Sequence, residues 1–226
     1  MLKFYFNGSP NPSKIAMFLE EAGVRYEPMP VDTRKGDQFK PEFLKVNPNG
    51  KVPAIVDGDV TVFDSTAILL YLAEKTGKFG AANTPAAKAE MLSWMMFVAT
   101  GVGPFSGQAV HFKHFAPEKV PYANDRYQYE AMRHFEILDK RLATRKFVVG
   151  DSFGIVDMAL WGWSRMIPFI LGDEAWAKLP NVKRHHDETM ARPSAAKAVA
   201  LKDKFAFKAE MDADARKVMF KHIKAA

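Results

Sequence analysis

Pro48-Asn49-Gly50-Lys51-Val52-Pro53-Ala54-Ile55 and, shortly after it, Phe63-Asp64-Ser65-Thr66-Ala67-Ile68-Leu69-Leu70-Tyr71-Leu72 are the stretches that decide the fold. They predict a turn, two short strands and a helix that begins at Asp64-Ser65. Because a proline at the start of a strand donates no ladder hydrogen bond, the backbone beside Pro53 is free to bind something else. The helix start offers unpaired N–H groups and a positive dipole end, which suit a carboxylate. Together these features predict a site for a small anionic peptide.

The first third of the chain alternates short strands with helices. Strands are predicted over 2–7, 25–32, 52–56 and 60–63, and helices over 11–22, 38–46 and 64–76. The Asp57-Gly58 pair between the last two strands is a strong hairpin signal. This order, βαβ followed by α and ββα, predicts a thioredoxin-like α/β domain over residues 1–78.

The chain reads as almost wholly helical after a turn-rich linker over 77–86. Helices are predicted over 85–100, 121–142, 155–171 and 175–191, with a shorter one after Pro193. Gly101, Gly103, Pro104 and Gly107 are expected to kink or break the backbone between the first two helices. The prediction is therefore an all-α C-terminal domain over 86–226, in which the last twenty or so residues form a loosely packed extra helix.

Composition limits the classes of partner. The 226 residues are 48% hydrophobic and 26% charged, as in soluble globular proteins. The net charge of +6 is dispersed apart from a basic cluster over Lys197–Lys224, so no nucleic-acid partner is expected. No apolar run is long enough to span a membrane and the first residues do not resemble a signal peptide, so a cytoplasmic location without membrane contact is expected.

The chain contains no cysteine. This excludes disulfides, cysteine nucleophiles and thiolate metal sites. Any sulfur chemistry must therefore use sulfur that a substrate brings, and glutathione is a candidate for the anionic peptide. The histidine pairs His111/His114 and His185/His186 lack accompanying carboxylates at metal-ligand spacing, so no metal site is expected.

Short motifs over most of the chain carry a family resemblance. They are Ser9-Pro10-Asn11, Phe18-Leu19-Glu20-Glu21-Ala22, Gly36-Asp37-Gln38-Phe39, Pro41-Glu42-Phe43-Leu44, 47–56, 68–77, Gly103-Pro104, Gly107-Gln108, Pro121-Tyr122-Ala123, Arg126-Tyr127 and Arg192-Pro193. With these motifs the chain resembles the cytosolic glutathione transferases, and the bacterial nu class fits best. It departs from the family pattern at Asp64, where Glu is usual, and at Gly154, where Ser or Thr opens a helix. We expect Asp157 to reach back to that helix start.

The resemblance implies that Ser9 and Asn11 are the catalytic residues, which line the sulfur site. A free thiol has a pKa of about 8.5, and a tenfold gain in thiolate needs about 1.4 kcal/mol of selective stabilisation. A hydroxyl and an amide at a helix start supply such donors. The alternative is that both residues only cap the helix. Tyr5, a rival donor, alternates with Phe4 and Phe6 in a strand and is expected to pack in or near the core.

The resemblance also implies how glutathione is held. The predicted binding residues are Asn11, Gln38, Lys51, Val52, Pro53, Asp64, Ser65 and Arg126. A cis Val52–Pro53 peptide, as in thioredoxin-like folds, would aim the Val52 backbone at the cysteinyl part, and Asp64-Ser65 would take the γ-glutamyl end. Gln38 and Lys51 approach the glycyl end. Arg126, of this chain or of a partner subunit, meets a carboxylate; the alternative is an ordinary surface helix charge.

The implied function is that of a glutathione-dependent enzyme that works as a homodimer. Its second substrate is a small thiol, disulfide or electrophile, held in a hydrophobic pocket of the helical domain. Thiol–disulfide exchange, favoured by the nu-class resemblance, competes with conjugation to an electrophilic carbon. The rival is a transferase-like interaction module without catalysis, which would be expected to lose Asn11, Pro53 or the acidic-Ser pair.

Overall fold

In the computed structural model, which describes residues 1–222, the chain begins with a four-stranded sheet. Its strands are β1 (Leu2–Phe6), β2 (Tyr26–Pro30), β3 (Ala54–Asp57) and β4 (Val60–Phe63), in the order β2-β1-β3-β4. The β1–β2 pair is parallel, and the β1–β3 and β3–β4 pairs are antiparallel. This mixed sheet confirms the predicted thioredoxin-like α/β arrangement.

Three helices accompany the sheet: α1 (Pro10–Ala22), α2 (Pro41–Leu44) and α3 (Ser65–Thr76). The apolar face predicted for α1 is buried, and Ile15, Phe18 and Leu19 are completely inaccessible. The left-handed Gly23 (φ 69°) ends this helix, and its N–H donates to the carbonyls of Glu20 and Leu19. The predicted boundaries of this region are therefore close to those observed.

Prolines divide two helices that were predicted as continuous. A 3-10 turn over Asp37–Phe39 precedes α2, and a second one over Asp173–Lys178 precedes a helix over Pro180–Met190. In both cases a proline occupies the first helical position. Its missing N–H is harmless there, whereas inside a helix it would break the hydrogen-bond ladder.

In the rest of the described chain the regular secondary structure is helical, which confirms the predicted all-α character of this part. The helices are α4 (Pro85–Phe97), α5 (Gly103–Val110), α6 (Pro121–Leu142), α7 (Ile155–Ser164), α8 (Ile167–Leu171), α9 (Pro180–Met190), α10 (Pro193–Ala200) and α11 (Ala213–Met219). The helix predicted over 155–171 is thus two helices, α7 and α8. Among the described residues, no helix is long and apolar enough to cross a membrane.

The break predicted around Gly101–Gly107 takes another form. A π-helical turn over Val98–Val102 joins α4 to α5, so the backbone remains helical. Gly101 lies against the ring of His134, and a Cβ at this position would be 2.5 Å from that ring. The glycine therefore allows close packing between the π turn and α6 instead of ending the helix.

Two compact units result. The N-terminal unit consists of Met1–Leu72 together with the described residues from Ala196 onward, and the helical unit consists of Ala73–Ala195. The sequence-based boundaries at 78 and 86 stay a prediction, and each unit is described by itself.

The C-terminal segment packs within the N-terminal unit. The rings of Phe205 and Phe207 stand edge-on to Phe6, with centroids 5.4 and 5.9 Å away. The backbone N–H of Lys208 donates to Asp32 (2.7 Å), and Arg34 donates to the carbonyl of Lys208 (2.9 Å). The predicted extra helix is present as α11 (Ala213–Met219), and the segment before it is attached by these specific contacts. Residues 223–226, which include the end of the basic cluster, lie outside the described residues.

Candidate functional site

One edge of the sheet carries six of the residues predicted to activate or bind glutathione. Tyr5 of β1 is paired with Ala54 of β3, and Ala54 is paired with Phe63 of β4, both in antiparallel register. Because β3 runs opposite to β1 and β4, the C-terminal ends of β1 and β4 lie at the same edge of the sheet as the N-terminal end of β3. This edge carries Ser9, Asn11, Val52, Pro53, Asp64 and Ser65.

Ser9 is the N-cap residue of α1, with an extended backbone (φ −77°, ψ 167°), yet its side chain makes no capping hydrogen bond. Its hydroxyl lies 2.6 Å from Oδ1 of Asn7, and its backbone N–H donates to the same oxygen at 3.0 Å. Because a carbonyl oxygen only accepts, the Ser9 hydroxyl donates its hydrogen to Asn7. Sequence reasoning missed Asn7, although an Asn two residues before a helix start is typical of an Asx turn.

Asn11 lies in the first turn of α1 and is half-buried. Its backbone N–H belongs to the helix start, where the helix itself provides no acceptor. The neighbouring Pro10 and Pro12 have no N–H groups to offer. Within residues 1–222, its carboxamide has no hydrogen-bond partner. The structure thus leaves two donors on Asn11 for a ligand, as the sulfur-site prediction requires.

The Val52–Pro53 peptide is cis, which confirms the sequence-based prediction. Val52 is half-buried and packs with Tyr5 against the cluster of Val31, Phe43 and Ala54. The Tyr5 ring lies 5.6 Å from that of Phe43, which agrees with the packing role expected for this tyrosine. The turn before the peptide is held by Asn47, whose amide donates to the carbonyl of the exposed Lys51 (2.6 Å).

Asp64 begins α3 from a left-handed backbone conformation (φ 73°). Its Oδ1 accepts hydrogen bonds from the N–H groups of Thr66 (2.8 Å) and Ala67 (3.2 Å). The next residue, Ser65, is buried. The aspartate thus fixes both the turn and the helix start, and it places a carboxylate at the positive end of the helix dipole.

Lys14 is a charged residue that sequence reasoning missed. It lies on α1 with only 2% of its surface exposed. Burial lowers the pKa of Lys14 from 10.5 to about 7, and the nearby Asp64 carboxylate opposes this shift. Its burial arises from tertiary packing, since the neighbours Ser13 and Ile15 are also buried and α1 has no solvent-facing side at this turn.

Gln38 is buried in the 3-10 turn over Asp37–Phe39, with 4% of its surface exposed. Its amide donates to the carbonyl of Thr33 (3.0 Å). Its Oε1 is buried and has no hydrogen-bond partner among residues 1–222. The amide donor is therefore already used within the protein, and the predicted contact of Gln38 with the glycyl end stays a prediction.

Arg126 lies in the helical unit, on α6. Its guanidinium is 3.0 Å from the carboxylate of Glu130, which also accepts from Arg133 (2.9 Å). Half of the Arg126 side chain is exposed, whereas Glu130 is buried. Arg126 is thus one member of a cluster of alternating charges, and its predicted contact with a glutathione carboxylate stays a prediction. The Glu130 partner, four residues along the helix, follows the i,i+4 rule.

The histidines that invited a metal interpretation make other contacts. The His114 ring stacks on Phe169 with 4.1 Å between centroids, and its Nε2 is 2.8 Å from the Phe169 carbonyl. His185 is hydrogen-bonded to Asp157 (2.8 Å). Within the described part of the chain, no group of three His, Cys, Asp or Glu side chains is arranged to hold a metal ion.

Two family models match the chain. The glutathione S-transferase N-terminal domain matches residues 1–74, and the glutathione S-transferase C-terminal domain matches residues 97–193. The disulfide-bond oxidoreductase YfcG of Escherichia coli is 41% identical over 88% of this chain and 94% of its own length.

Solved structures agree. A glutathione transferase family member from Pseudomonas fluorescens, with two glutathione molecules bound, has a TM-score of 0.84 and 35% identity over 88% of this chain and 92% of that one. A glutathione transferase from Pseudomonas putida, with one glutathione disulfide bound per subunit, has a TM-score of 0.83 and 32% identity over 88% and 90%. The chain therefore belongs to the glutathione S-transferase family.

Proposed function

We propose that the protein binds glutathione at the sheet edge that carries Ser9, Asn11, the Val52–Pro53 peptide and Asp64, and uses its thiolate to reduce disulfides. The observation that carries this proposal is the open donor set of Asn11 at the N-terminus of α1, beside a cis-proline strand start. The disulfide-bond oxidoreductase named among its relatives supports the reaction type. In this scheme glutathione is a co-substrate and no metal takes part.

The reaction needs no protein thiol. The bound thiolate attacks one sulfur of a disulfide, a mixed disulfide with glutathione forms, and the other sulfur leaves as a thiolate that takes up a proton. A second glutathione then attacks the mixed disulfide and releases the remaining thiol together with glutathione disulfide. Two glutathiones are oxidised for each disulfide reduced, which is consistent with a chain that has no cysteine.

Three groups of this chain have separate tasks in the proposed site. Asn11 donates from its carboxamide and backbone N–H to the sulfur and so favours the thiolate. The backbone of Val52, the residue before the cis-proline, pairs with the cysteinyl part. Asp64 and Ser65 hold the γ-glutamyl end: the Asp64 carboxylate faces the ammonium group, and the Ser65 hydroxyl and backbone N–H face the carboxylate, because the Thr66 and Ala67 N–H groups already donate to Asp64. Gln38 and Lys51 then face the glycyl end, and Arg126, of this chain or of a partner subunit, meets a carboxylate of glutathione.

Conjugation to an electrophilic carbon is the second candidate activity, because it begins from the same thiolate. The aromatic cluster of Phe105, Phe112 and Tyr127 in the helical unit supports it, since such a surface suits an apolar second substrate. The Phe112 and Tyr127 rings are stacked with 5.3 Å between centroids.

We also propose a homodimer in the cytoplasm. In the helical unit, Leu92 and Met96 of α4 and Tyr122 and Tyr129 of α6 are exposed, at 43%, 41%, 81% and 64%. Apolar groups exposed in this number on two helices favour contact with a second copy. Cytoplasmic residence suits a reaction that consumes reduced glutathione, which the cytosol maintains. Light scattering coupled to size exclusion, with the Tyr129→Glu variant, tests the dimer.

The decisive experiment measures reduction of 2-hydroxyethyl disulfide by glutathione, coupled to glutathione reductase. Asn11→Ala is expected to lower turnover at least about tenfold, since it removes a donor to the thiolate. Asn83→Ala, in the exposed linker, is the matched control and is expected to behave as wild type.

Each other outcome has a defined meaning. Saturable glutathione binding without disulfide turnover contradicts disulfide exchange and favours conjugation. A protein that is not retained on glutathione resin contradicts both activities and favours the non-catalytic interaction module.

A further inference from the structure

Asn7, Ser9 and Thr33 form one chain of hydrogen bonds in the N-terminal unit. The Ser9 hydroxyl is 2.6 Å from Oδ1 of Asn7, and Nδ2 of Asn7 is 3.2 Å from Oγ1 of Thr33. Asn7 immediately follows β1, and Thr33 follows β2 by three residues. These hydrogen bonds thus connect the turn that carries Ser9 to the loop that carries Gln38.

The direction of these hydrogen bonds follows from a backbone group. The Ser9 N–H can only donate, and it lies 3.0 Å from Oδ1 of Asn7, so the Asn7 carbonyl oxygen must face Ser9. The carboxamide nitrogen then faces Thr33. With its acceptor fixed, the Ser9 hydroxyl has its single hydrogen directed at Asn7 and presents lone pairs to its other neighbours.

Thr33 is a firm anchor for this arrangement. Its carbonyl accepts from the Gln38 amide (3.0 Å). Its neighbours Asp32 and Arg34 are both hydrogen-bonded to Lys208 of the C-terminal segment. Asn7 is therefore held from the side away from Ser9, and its carboxamide is not free to turn.

We propose that Asn7 is a positioning residue of the sulfur site, which decides whether the Ser9 hydroxyl donates its hydrogen to the protein or to bound glutathione. This inference rests on the proposed glutathione site. While Asn7 holds the hydrogen, Asn11 is the main donor to the sulfur and Ser9 contributes little. When the Asn7 acceptor is removed, the Ser9 hydroxyl turns to the sulfur and the thiolate gains a second donor.

The test is the apparent pKa of bound glutathione, taken from the ultraviolet absorbance of the thiolate against pH and from the pH profile of kcat/KM. Asn7→Ala is expected to lower this pKa by about one unit, the size of one hydrogen bond to a charged acceptor. Ser9→Ala is expected to shift it little in the wild-type background. In the Asn7→Ala background, Ser9→Ala is expected to cancel the one-unit gain.

Three further variants keep the test decisive. Asn7→Leu removes the acceptor while retaining side-chain bulk, and it replaces Asn7→Ala if the smaller residue prevents folding. Asn7→Asp keeps the acceptor and is expected not to lower the pKa of the bound thiol. Asn49→Ala, an exposed Asn of the same unit, is the control and is expected to leave that pKa unchanged.

The proposed function and the role of Asn7 can be overturned separately. If wild-type protein neither binds glutathione nor reduces the disulfide, the proposed function is wrong. If it does both, and Ser9→Ala shifts the pKa equally in the wild-type and Asn7-substituted backgrounds, only the role of Asn7 is wrong. A fall in pKa in Asn7→Asp also overturns that role.

Discussion

The carboxylate of Asp157 lies 2.8 Å from Nε2 of His185, and both side chains are almost completely buried in the helical unit. The same carboxylate accepts from the backbone N–H groups of Val148 and Gly154, each at 2.9 Å. Asp157 therefore closes the start of α7, as expected from the sequence, and also ties α7 to α9 through His185. Gly154 at the N-cap therefore costs the helix little stability, because the Asp157 side chain accepts the hydrogen bond from the Gly154 N–H.

Replacing Asp157 is expected to destabilise the helical unit. Asp157→Asn keeps the shape of the side chain, but its amide NH2 group then faces one of the three N–H groups that donate to the carboxylate. We expect this to cost about 1–3 kcal/mol of unfolding free energy. Urea unfolding followed by circular dichroism measures it. Asp187→Asn is the matched control, because Asp187 pairs with Lys183 at the surface and the loss there should stay below about 1 kcal/mol. Equal losses in the two variants would contradict the role of Asp157.

Substitutions of Asp64 are expected to separate stability from binding. Asp64→Asn keeps the cap and tolerates the left-handed backbone, so stability should change little, while loss of the charge should raise the KM for glutathione about tenfold. Asp64→Ala loses the cap as well and should be about 1–3 kcal/mol less stable. Thermal unfolding and steady-state kinetics test both, with the exposed Asp59→Asn as control. An Asn variant with an unchanged KM would argue against a charge role for Asp64.

Because Lys14 is buried, the stability of the protein is expected to depend on pH in an unusual way. Its pKa is about 7 when folded and about 10.4 in an unfolded chain, so between these values the unfolded state binds the extra proton and stability rises with pH. Lys14→Met is expected to be more stable than wild type at pH 7, and the difference should shrink by up to about 1.4 kcal/mol per pH unit toward pH 10.

Denaturant unfolding at several pH values checks this expectation. Lys45→Met, at an exposed position of the same unit, is the control and should run parallel to wild type. A constant difference between Lys14→Met and wild type at all pH values would show that Lys14 is fully ionised in the folded protein.

Asp32 is expected to hold the C-terminal segment in place. Asp32→Asn leaves one acceptor for the N–H groups of Arg34 and Lys208, so the Lys208 amide should exchange with solvent at least about tenfold faster. Hydrogen exchange read by mass spectrometry measures this. Lys45→Ala, at an exposed position of the same unit, is the control and should leave exchange near the wild-type rate. Unchanged exchange in Asp32→Asn would mean that the Arg34 and phenylalanine contacts secure the segment without Asp32.

Local patterns in the sequence predict much of the fold. The apolar spacing of α1 and the Asp57-Gly58 hairpin both correspond to elements at nearly the expected residues. Pro41 and Pro180 show where this reasoning fell short, since a proline that begins a helix looks in the sequence like one that interrupts it. Gly101 shows another limit: a glycine is needed there because the His134 ring of a different helix packs against it, and that contact is not visible in the sequence.

The site divides in the same way. The Ser9 turn, the cis Val52–Pro53 peptide and the Asp64 helix start depend on local chain geometry, which the motifs reveal. The Asn7–Thr33 bond depends on which strands are neighbours, and the contact between Asp32 and Lys208 joins residues 176 positions apart. No periodicity or motif spacing carries information about such a distant pair.

That separation has a consequence for biosynthesis. Residue 32 leaves the ribosome long before residue 208. The loop that carries Asp32 can therefore form its last hydrogen bonds only after almost the entire chain has been synthesised. The sheet itself needs only residues up to 63, and it can assemble early. A nascent chain is therefore expected to contain a folded sheet whose ligand-binding loop is completed only after the late segment has been synthesised.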